Sequence, residues 1–187
     1  MDHKAFLASV PAARRAALTR RRDLPGGVHF VVHLALIVGV GGLIAAQVPL
    51  WWALIPLQGI LVTALFMLAH ECTHDTPFKT AWMNRAAGHF AGFVLVLPFR
   101  WFRYFHLAHH KWTNIPGKDP ELGSPKPGRL GAWLWHVSGL PVFGRLVALM
   151  WRLVLDKGAP DWLPERARAG AVFEARVMAG LYVLVAL

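Results

Sequence analysis

The sequence has few charged residues and almost no cysteine, and both shortages narrow the class of protein. Only 16% of its 187 residues are charged, while 56% are hydrophobic, which exceeds the roughly 45–50% apolar content of ordinary soluble domains. The single cysteine, Cys72, excludes an intrachain disulfide and is consistent with a reducing compartment. The composition therefore favours an integral membrane protein over a soluble or disulfide-stabilised domain.

Acidic residues are also scarce, with 10 Asp and Glu against 20 Lys and Arg. An excess of positive charge can indicate a nucleic-acid partner, but the distribution of these residues points to membrane topology. Six of them precede the first apolar run, thirteen lie between positions 79 and 168, and none lies in the connection at 47–49. This asymmetry follows the positive-inside rule. We therefore expect a cytoplasmic N-terminus close to anionic membrane lipid, and no nucleic-acid partner.

Two long apolar runs predict a transmembrane helical hairpin. Residues 28–46 and 50–69 are each long enough to cross a bilayer as a helix, and only three residues connect them. A third apolar run starts near residue 171 and predicts the beginning of a third span. The predicted fold class is an all-α integral membrane protein, for which a bacterial inner membrane is the expected location.

The segments outside these spans are expected to stay on the cytoplasmic face. Residues 1–27 read as a basic cytoplasmic tail, interrupted by prolines and glycines. Residues 86–99 are apolar but too short to cross the bilayer, which predicts a re-entrant or interfacial segment. Residues 115–128 are dense in Pro and Gly and predict a loop. Residues 129–151 are interpreted as interfacial helices, with a true span as the alternative.

Five of the ten histidines form two clusters beside this apolar sequence. The first cluster, His70 and His74, has a spacing that places both imidazoles on one helix face. The second cluster comprises His106, His109 and His110, again largely on one face. Neutral imidazole suits Fe, Zn, Cu or Ni better than Mg or Ca, and five such donors are one more than a structural zinc uses. With no full span between them, the clusters are expected to share one cytoplasmic metal site.

The combined pattern HxxxH and HxxHH resembles the membrane-bound fatty acid desaturase and hydroxylase superfamily. The extended second motif, residues 106–114 followed by Asp119-Pro120-Glu121, is similar to bacterial acyl-lipid desaturases. The resemblance covers residues 28–187, a partial desaturase-like membrane domain. It implies a centre of two non-haem irons that uses O2 to oxidise a fatty acyl or hydrocarbon chain by desaturation or hydroxylation, with electrons from a ferredoxin or cytochrome b5 type donor.

The resemblance also implies the site residues and marks a departure. The implied iron ligands, which are also the candidate catalytic residues, are His70, His74, His106, His109 and His110. The family carries a third histidine motif further downstream, and the sequence ends at Leu187 without one. We therefore expect an N-terminal fragment that is inactive by itself.

Two other functions compete for the same residues. His70-Glu71-Cys72-Thr73-His74 matches the HExxH motif of zinc metalloproteases, in which Glu71 would be the general base. That interpretation leaves the second cluster unexplained. A non-catalytic metal-binding membrane protein is the other alternative.

Several further side chains are candidates for supporting roles. Glu71, Asp75 and Asp119 are candidates for orienting ligand imidazoles through the other ring nitrogen. For Asp75, a carboxylate at a helix end or in solvent is an equal alternative. His89 is expected to pack in the structure rather than to bind metal.

Overall fold

The computed structural model describes residues 2–123 and 127–186, and all regular structure in these ranges is helical. This agrees with the predicted all-α class. The α-helices are α1 (His3–Ser9), α2 (Ala12–Leu18), α3 (Asp23–Ala45), α4 (Ile55–Thr73), α5 (Ala81–Val94), α6 (Phe99–Trp112), α7 (Leu130–Val137), α8 (Leu140–Val154) and α9 (Glu165–Ala186), with 3-10 turns at Trp51–Leu54 and Pro120–Gly123.

Among the described residues, three helical stretches are long and apolar enough to cross a membrane. They are Ala12–Ala45, Trp51–Thr73 and Glu165–Ala186. In α3 no residue is buried inside the protein, as expected for a helix whose apolar surface faces lipid. The three predicted spans are confirmed as helices, and their bounds differ from the predicted ones.

The first span begins earlier than predicted. Helix α3 starts at Asp23 and includes Pro25, one of the prolines that were expected to interrupt the tail. Pro25 is the third residue of the helix, where its missing N–H would have no intrahelical acceptor in any case. The Asp23 carboxylate accepts hydrogen bonds from the backbone N–H and the hydroxyl of Thr80, both at 2.8 Å. The predicted tail is therefore shorter and forms α1 and α2, which are separated at Pro11.

The second and third spans also extend beyond their predicted bounds. Helix α4 continues to Thr73, so that the membrane helix itself carries His70. Helix α9 begins at Glu165 rather than near residue 171. It tolerates Glu174 in its interior because that carboxylate finds hydrogen-bond donors on other helices.

Two shorter helices connect the second span to the second histidine cluster. Helix α5 has 14 residues, which at 1.5 Å per residue gives about 21 Å, too short for a hydrocarbon core of about 30 Å. Its length agrees with a segment that does not cross the membrane by itself, and its re-entrant or interfacial placement stays a prediction. The chain turns at Val96 and Pro98, and α6 then carries the second cluster back toward the end of α4.

The region from 115 to 154 is partly irregular. The predicted loop contains a 3-10 turn at Pro120–Gly123, and its residues 124–126 lie outside the described residues. Helices α7 and α8 meet at an angle of 56°, and together they have the length and apolar character of a broken span or a re-entrant loop. Their interfacial placement stays a prediction.

The buried core lies where α4, α5, α6 and α9 meet. Leu65 and Ala69 of α4 pack against Ala91 of α5 and Phe102 of α6. A second group, on α8 and α9, includes Met150 and Ala175 and contacts Trp101 of α6. The helix of the second cluster is therefore packed between the second and third spans.

Candidate metal centre

The first histidine cluster is positioned by the end of α4. His70 lies in the last turn of the helix and His74 caps it. Two crossed backbone bonds close the helix, from Asp75 N–H to Cys72 C=O and from Thr76 N–H to Glu71 C=O, both at 3.3 Å. This Schellman arrangement places Asp75 at a φ of 56°, a left-handed conformation that Asp tolerates better than most residues.

The turn after the first cluster is held by a buried amide. Asn84 of α5 is 1% exposed, and its side chain accepts a hydrogen bond from the Phe78 N–H at 3.1 Å and donates one to the Phe78 carbonyl at 2.9 Å. These bonds fix the chain between α4 and α5. The position of the first cluster thus follows from one helix and the turn beside it.

The second histidine cluster lies in the C-terminal half of α6. His106 is buried, His109 is half-buried and His110 is exposed. The ring of Phe102, one turn earlier, stacks on His106 with centroids 5.7 Å apart. Apolar packing of one face of α6 therefore turns His106 inward toward α4.

Four of the five predicted ligands converge. The side-chain nitrogens of His70, His74, His106 and His110, here called the histidine quartet, can all lie within 4.8 Å of one another. Nε2 of His106 is 2.9 Å from Nε2 of His74 and 2.9 Å from Nε2 of His110. A ring nitrogen has either one proton or one lone pair, so the His106 nitrogen cannot form a full hydrogen bond with both neighbours. A cation at this point would instead accept lone pairs from several imidazoles.

The protonation state of two histidines of the quartet also fits a metal. Burial, reinforced by the neighbouring histidines, lowers the pKa of His106 to about 4. Burial and the nearby His110 lower the pKa of His74 as well. Both imidazoles are therefore neutral at physiological pH, which is the form that binds metal. The donor set fits a nitrogen-ligated transition metal.

The fifth predicted ligand, His109, lies outside the quartet. Its Nδ1 is 2.9 Å from the Asp119 carboxylate and 3.5 Å from the exposed Glu121 carboxylate. The Asp119 side chain is 1% exposed and also accepts the N–H groups of Asn114 and Glu121. Burial raises the pKa of Asp119, but these three hydrogen bonds outweigh it and the net pKa is lowered. An imidazole that is bonded through Nδ1 in this way presents Nε2 to a metal, so a ligand role for His109 stays a prediction.

The other carboxylates near the clusters divide between two roles. Glu71 lies 3.0 Å from Nδ1 of His70 and accepts the Thr76 hydroxyl at 2.7 Å, which agrees with its predicted contact to a ligand imidazole. Asp75 instead forms a two-point ion pair with Arg103 of α6, at 2.7 and 3.1 Å. Arg103 lowers the pKa of Asp75 through these hydrogen bonds. Asp75 thus joins the first cluster's turn to the second cluster's helix.

Sequence reasoning missed one buried carboxylate. Glu174 of α9 is 8% exposed and contacts the first turn of α6. The available signal was an acidic residue in the interior of an apolar run, because a charge in a membrane span is costly and usually has a partner. The identity of that partner could not be read from the sequence.

A comparison with protein families places the chain in a known group. The family model described as fatty acid desaturase matches residues 48–187, which contain both histidine clusters. No solved structure matches the chain significantly.

Curated relatives agree with that family. The chain is 31% identical over 119 residues to an sn-1 oleoyl-lipid 12-desaturase of Picosynechococcus sp., covering 58% of this chain and 34% of that protein. It is 32% identical over 115 residues to an omega-6 fatty acid desaturase of the endoplasmic reticulum from Glycine max, covering 62% and 28%. An sn-1 acyl-lipid omega-3 desaturase (ferredoxin) of Nostoc sp. is 32% identical over 71 residues, covering 38% and 19%. The matches thus span about a third or less of these relatives. They do not favour the metalloprotease.

Proposed function

We propose that this chain, which belongs to the fatty acid desaturase family, supplies part of a di-iron centre that uses O2 to desaturate fatty acyl chains of membrane lipid. The observation that carries the proposal is the convergence of His70, His74, His106 and His110 at the end of a membrane helix. Hydroxylation of the same kind of chain is the closest alternative chemistry. Two bound irons would supply the activation of O2 and the removal of hydrogen from an unactivated C–H bond.

The quartet and His109 would hold the metals. Carboxylates already lie against two of these imidazoles, since Glu71 contacts Nδ1 of His70 and Asp119 contacts Nδ1 of His109. Such contacts fix the ring orientation and make the other nitrogen more basic. The quartet offers only four donor nitrogens, one from each residue, so two irons would require further ligands beyond these four residues.

The acyl chain would lie in a groove between α3 and α4. This groove has a volume of about 660 Å³, within the range of roughly 300–1,000 Å³ of ligand pockets. Its walls are largely apolar and include Leu36 and Leu68, and it reaches Glu71 beside the quartet. Because both helices are membrane spans, a lipid chain could enter this groove from the bilayer without crossing water.

The electron donor and the location belong to the same proposal. A relative's name specifies ferredoxin, and a ferredoxin or a cytochrome b5 type protein would approach from the cytoplasm. The basic residues of the tail and of the segments after α4 support a cytoplasmic placement of the histidine clusters by the positive-inside rule.

Metal analysis and lipid analysis test the proposal. The protein that contains this chain is expressed with iron and purified in detergent. We expect it to bind two irons, and we expect His70→Ala and His106→Ala to remove them. Expression in a host that lacks polyunsaturated lipids is expected to add a double bond to its acyl chains, detected by gas chromatography of the methyl esters. A protein with one bound zinc and no iron would contradict the proposal.

A further inference from the structure

Glu174 is a buried carboxylate in the third span, and donors on other helices surround it. It accepts hydrogen bonds from His89 Nδ1 at 2.6 Å and from the backbone N–H groups of Phe99 and Arg100, both at 2.8 Å. A carboxylate in an apolar helix is costly unless it is paired. Three donors on two other helices satisfy it here.

The two backbone donors are the first residues of α6. N–H groups at this position have no acceptor within their own helix, and usually a Ser, Thr, Asp or Asn at the N-cap accepts them. The N-cap of α6 is Pro98, and no side-chain cap bond forms there. Glu174 supplies the missing acceptor from a distant part of the chain, and its negative charge is favourable at the positive end of the helix dipole.

Close packing surrounds this contact. Gly170, one turn before Glu174 on α9, lies against the guanidinium end of the Arg100 side chain. Gly88 of α5 lies against the Phe99 ring, and a Cβ there would overlap the ring. The rings of His89 and Phe99 are 5.3 Å apart. Helices α5, α6 and α9 therefore meet at the start of α6.

We propose that Glu174 is a positioning residue for the metal centre: by capping α6 from the third span, it sets the position of the helix that carries His106 and His110. His106 lies seven residues after Phe99, which is about 10.5 Å along the helix axis. A shift or fraying at the capped end would move His106 away from His74. The inference rests on the proposed function, because it assigns Glu174 a part in metal binding.

The test compares Glu174→Gln with Glu165→Gln. Both variants remove a carboxylate from α9, but the Glu165 side chain is 83% exposed and its ion pair is with Arg168 of the same helix. In the metal-free protein in detergent, hydrogen–deuterium exchange of peptides from 99–112 reports on the cap. Cobalt titration then reports affinity, and the visible spectrum of bound cobalt reports its coordination geometry.

In Glu174→Gln, one carboxylate oxygen is replaced by an amide NH2 group, which is a donor. Because the start of α6 offers only N–H donors, that group cannot accept from them and the cap is partly lost. We expect faster exchange at the start of α6, a cobalt affinity lower by about tenfold, and a changed cobalt spectrum. Tenfold is the lower end of the loss of affinity found when a group that orients a metal ligand is removed. Glu165→Gln is expected to match the wild type in all three. Glu174→Asp keeps the charge but shortens its reach, and is expected to lie between the wild type and Gln.

Several outcomes would overturn the inference. A folded Glu174→Gln variant with wild-type exchange, or with wild-type cobalt affinity and spectrum, would do so. Failure of both the Gln and Asp variants to fold would show that Glu174 serves the whole fold, not α6 in particular. A wild-type protein that bound no metal would contradict the proposed function instead, and the exchange experiment would still decide whether Glu174 holds α6.

Discussion

The first histidine cluster lies on a helix that continues directly from a membrane span, whereas the second lies on a helix that starts anew after Pro98. Local contacts position the first cluster: a helix end, its closing backbone bonds and the buried Asn84. Three carboxylates contact the helix of the second cluster: Glu174 at the start of α6, Asp75 at Arg103 and Asp119 at His109. Because Glu174 and Asp75 are distant from their partners along the chain, the placement of α6 depends on long-range contacts more than the placement of the first cluster does.

The largest loss of metal affinity is expected from a substitution at His106, where the two histidine clusters meet. Its Nε2 lies 2.9 Å from both His74 and His110, so His106→Ala removes the residue that joins the clusters. We expect metal affinity to fall by more than about 100-fold, beyond the range for outer-shell losses. Metal analysis and cobalt titration measure this.

A matched control for His106 is His136→Ala, because His136 is exposed on α7 and is not a member of the quartet. It is expected to bind metal as the wild type does. Equal losses from the two substitutions would show that the quartet is not the metal site.

The next largest loss of metal affinity is expected from a substitution at Asp119, which contacts Nδ1 of His109. Asp119→Asn keeps one acceptor but removes the charge, and it places an amide N–H group among three donors. We expect metal affinity to fall by about 10–100-fold, together with a lower thermal unfolding temperature. Glu121→Gln is the control, because Glu121 is half exposed and 3.5 Å from the same nitrogen. A larger loss from Glu121→Gln than from Asp119→Asn would reverse the assigned roles.

The same contrast explains how much the sequence could predict. The i, i+4 spacing of His70 and His74 required only a continuous helix, and the structure provides it. The apolar runs likewise predicted the spans, but not their bounds. Helix α3 begins early, at Asp23, whose carboxylate finds its partner Thr80 far along the chain, and α9 continues through Glu174, whose partners lie on other helices. Contacts between residues 28 to 85 positions apart depend on how the helices pack, and no local pattern encodes them. For the same reason the sequence predicted five ligands, while the packing brings four together.

A smaller effect, on stability, is expected from a substitution at Gly92, which packs against the turn before α6. A Cβ at Gly92 of α5 would overlap the backbone carbonyl of Leu97, so Gly92→Ala must push the turn before α6 outward. Overpacking of this kind costs about 1–3 kcal/mol, and we expect thermal unfolding to shift down accordingly. Gly59→Ala on α4 is the control, since nothing lies within 4 Å of the added Cβ. Unchanged stability of Gly92→Ala would show that the turn yields without cost.

The smallest effect is expected at the ion pair between Asp75, which follows the first cluster, and Arg103, which lies on the helix of the second cluster. The Asp75 and Arg103 side chains are 32% and 30% exposed, so solvent screens their attraction and we expect a coupling energy of about 1 kcal/mol or less. A double-mutant cycle with Asp75→Asn and Arg103→Gln measures it, and Asn is chosen because it also tolerates the positive φ of this position.

The pH dependence of that coupling has a definite sign. Arg103 lowers the pKa of Asp75 in the folded protein, so the unfolded chain binds a proton more readily as the pH falls. The stabilisation is therefore fully present above the unfolded pKa of the carboxyl and is lost as the pH falls through its lower, folded pKa. Repeating the cycle in acid should abolish the coupling, while the Schellman turn, which uses backbone bonds only, should persist. A coupling that survived protonation of Asp75 would mean that a hydrogen bond between the two side chains, and not the attraction of their opposite charges, carries the interaction. A coupling near zero at every pH would mean that Arg103 is held chiefly by its hydrogen bond to the Cys72 carbonyl.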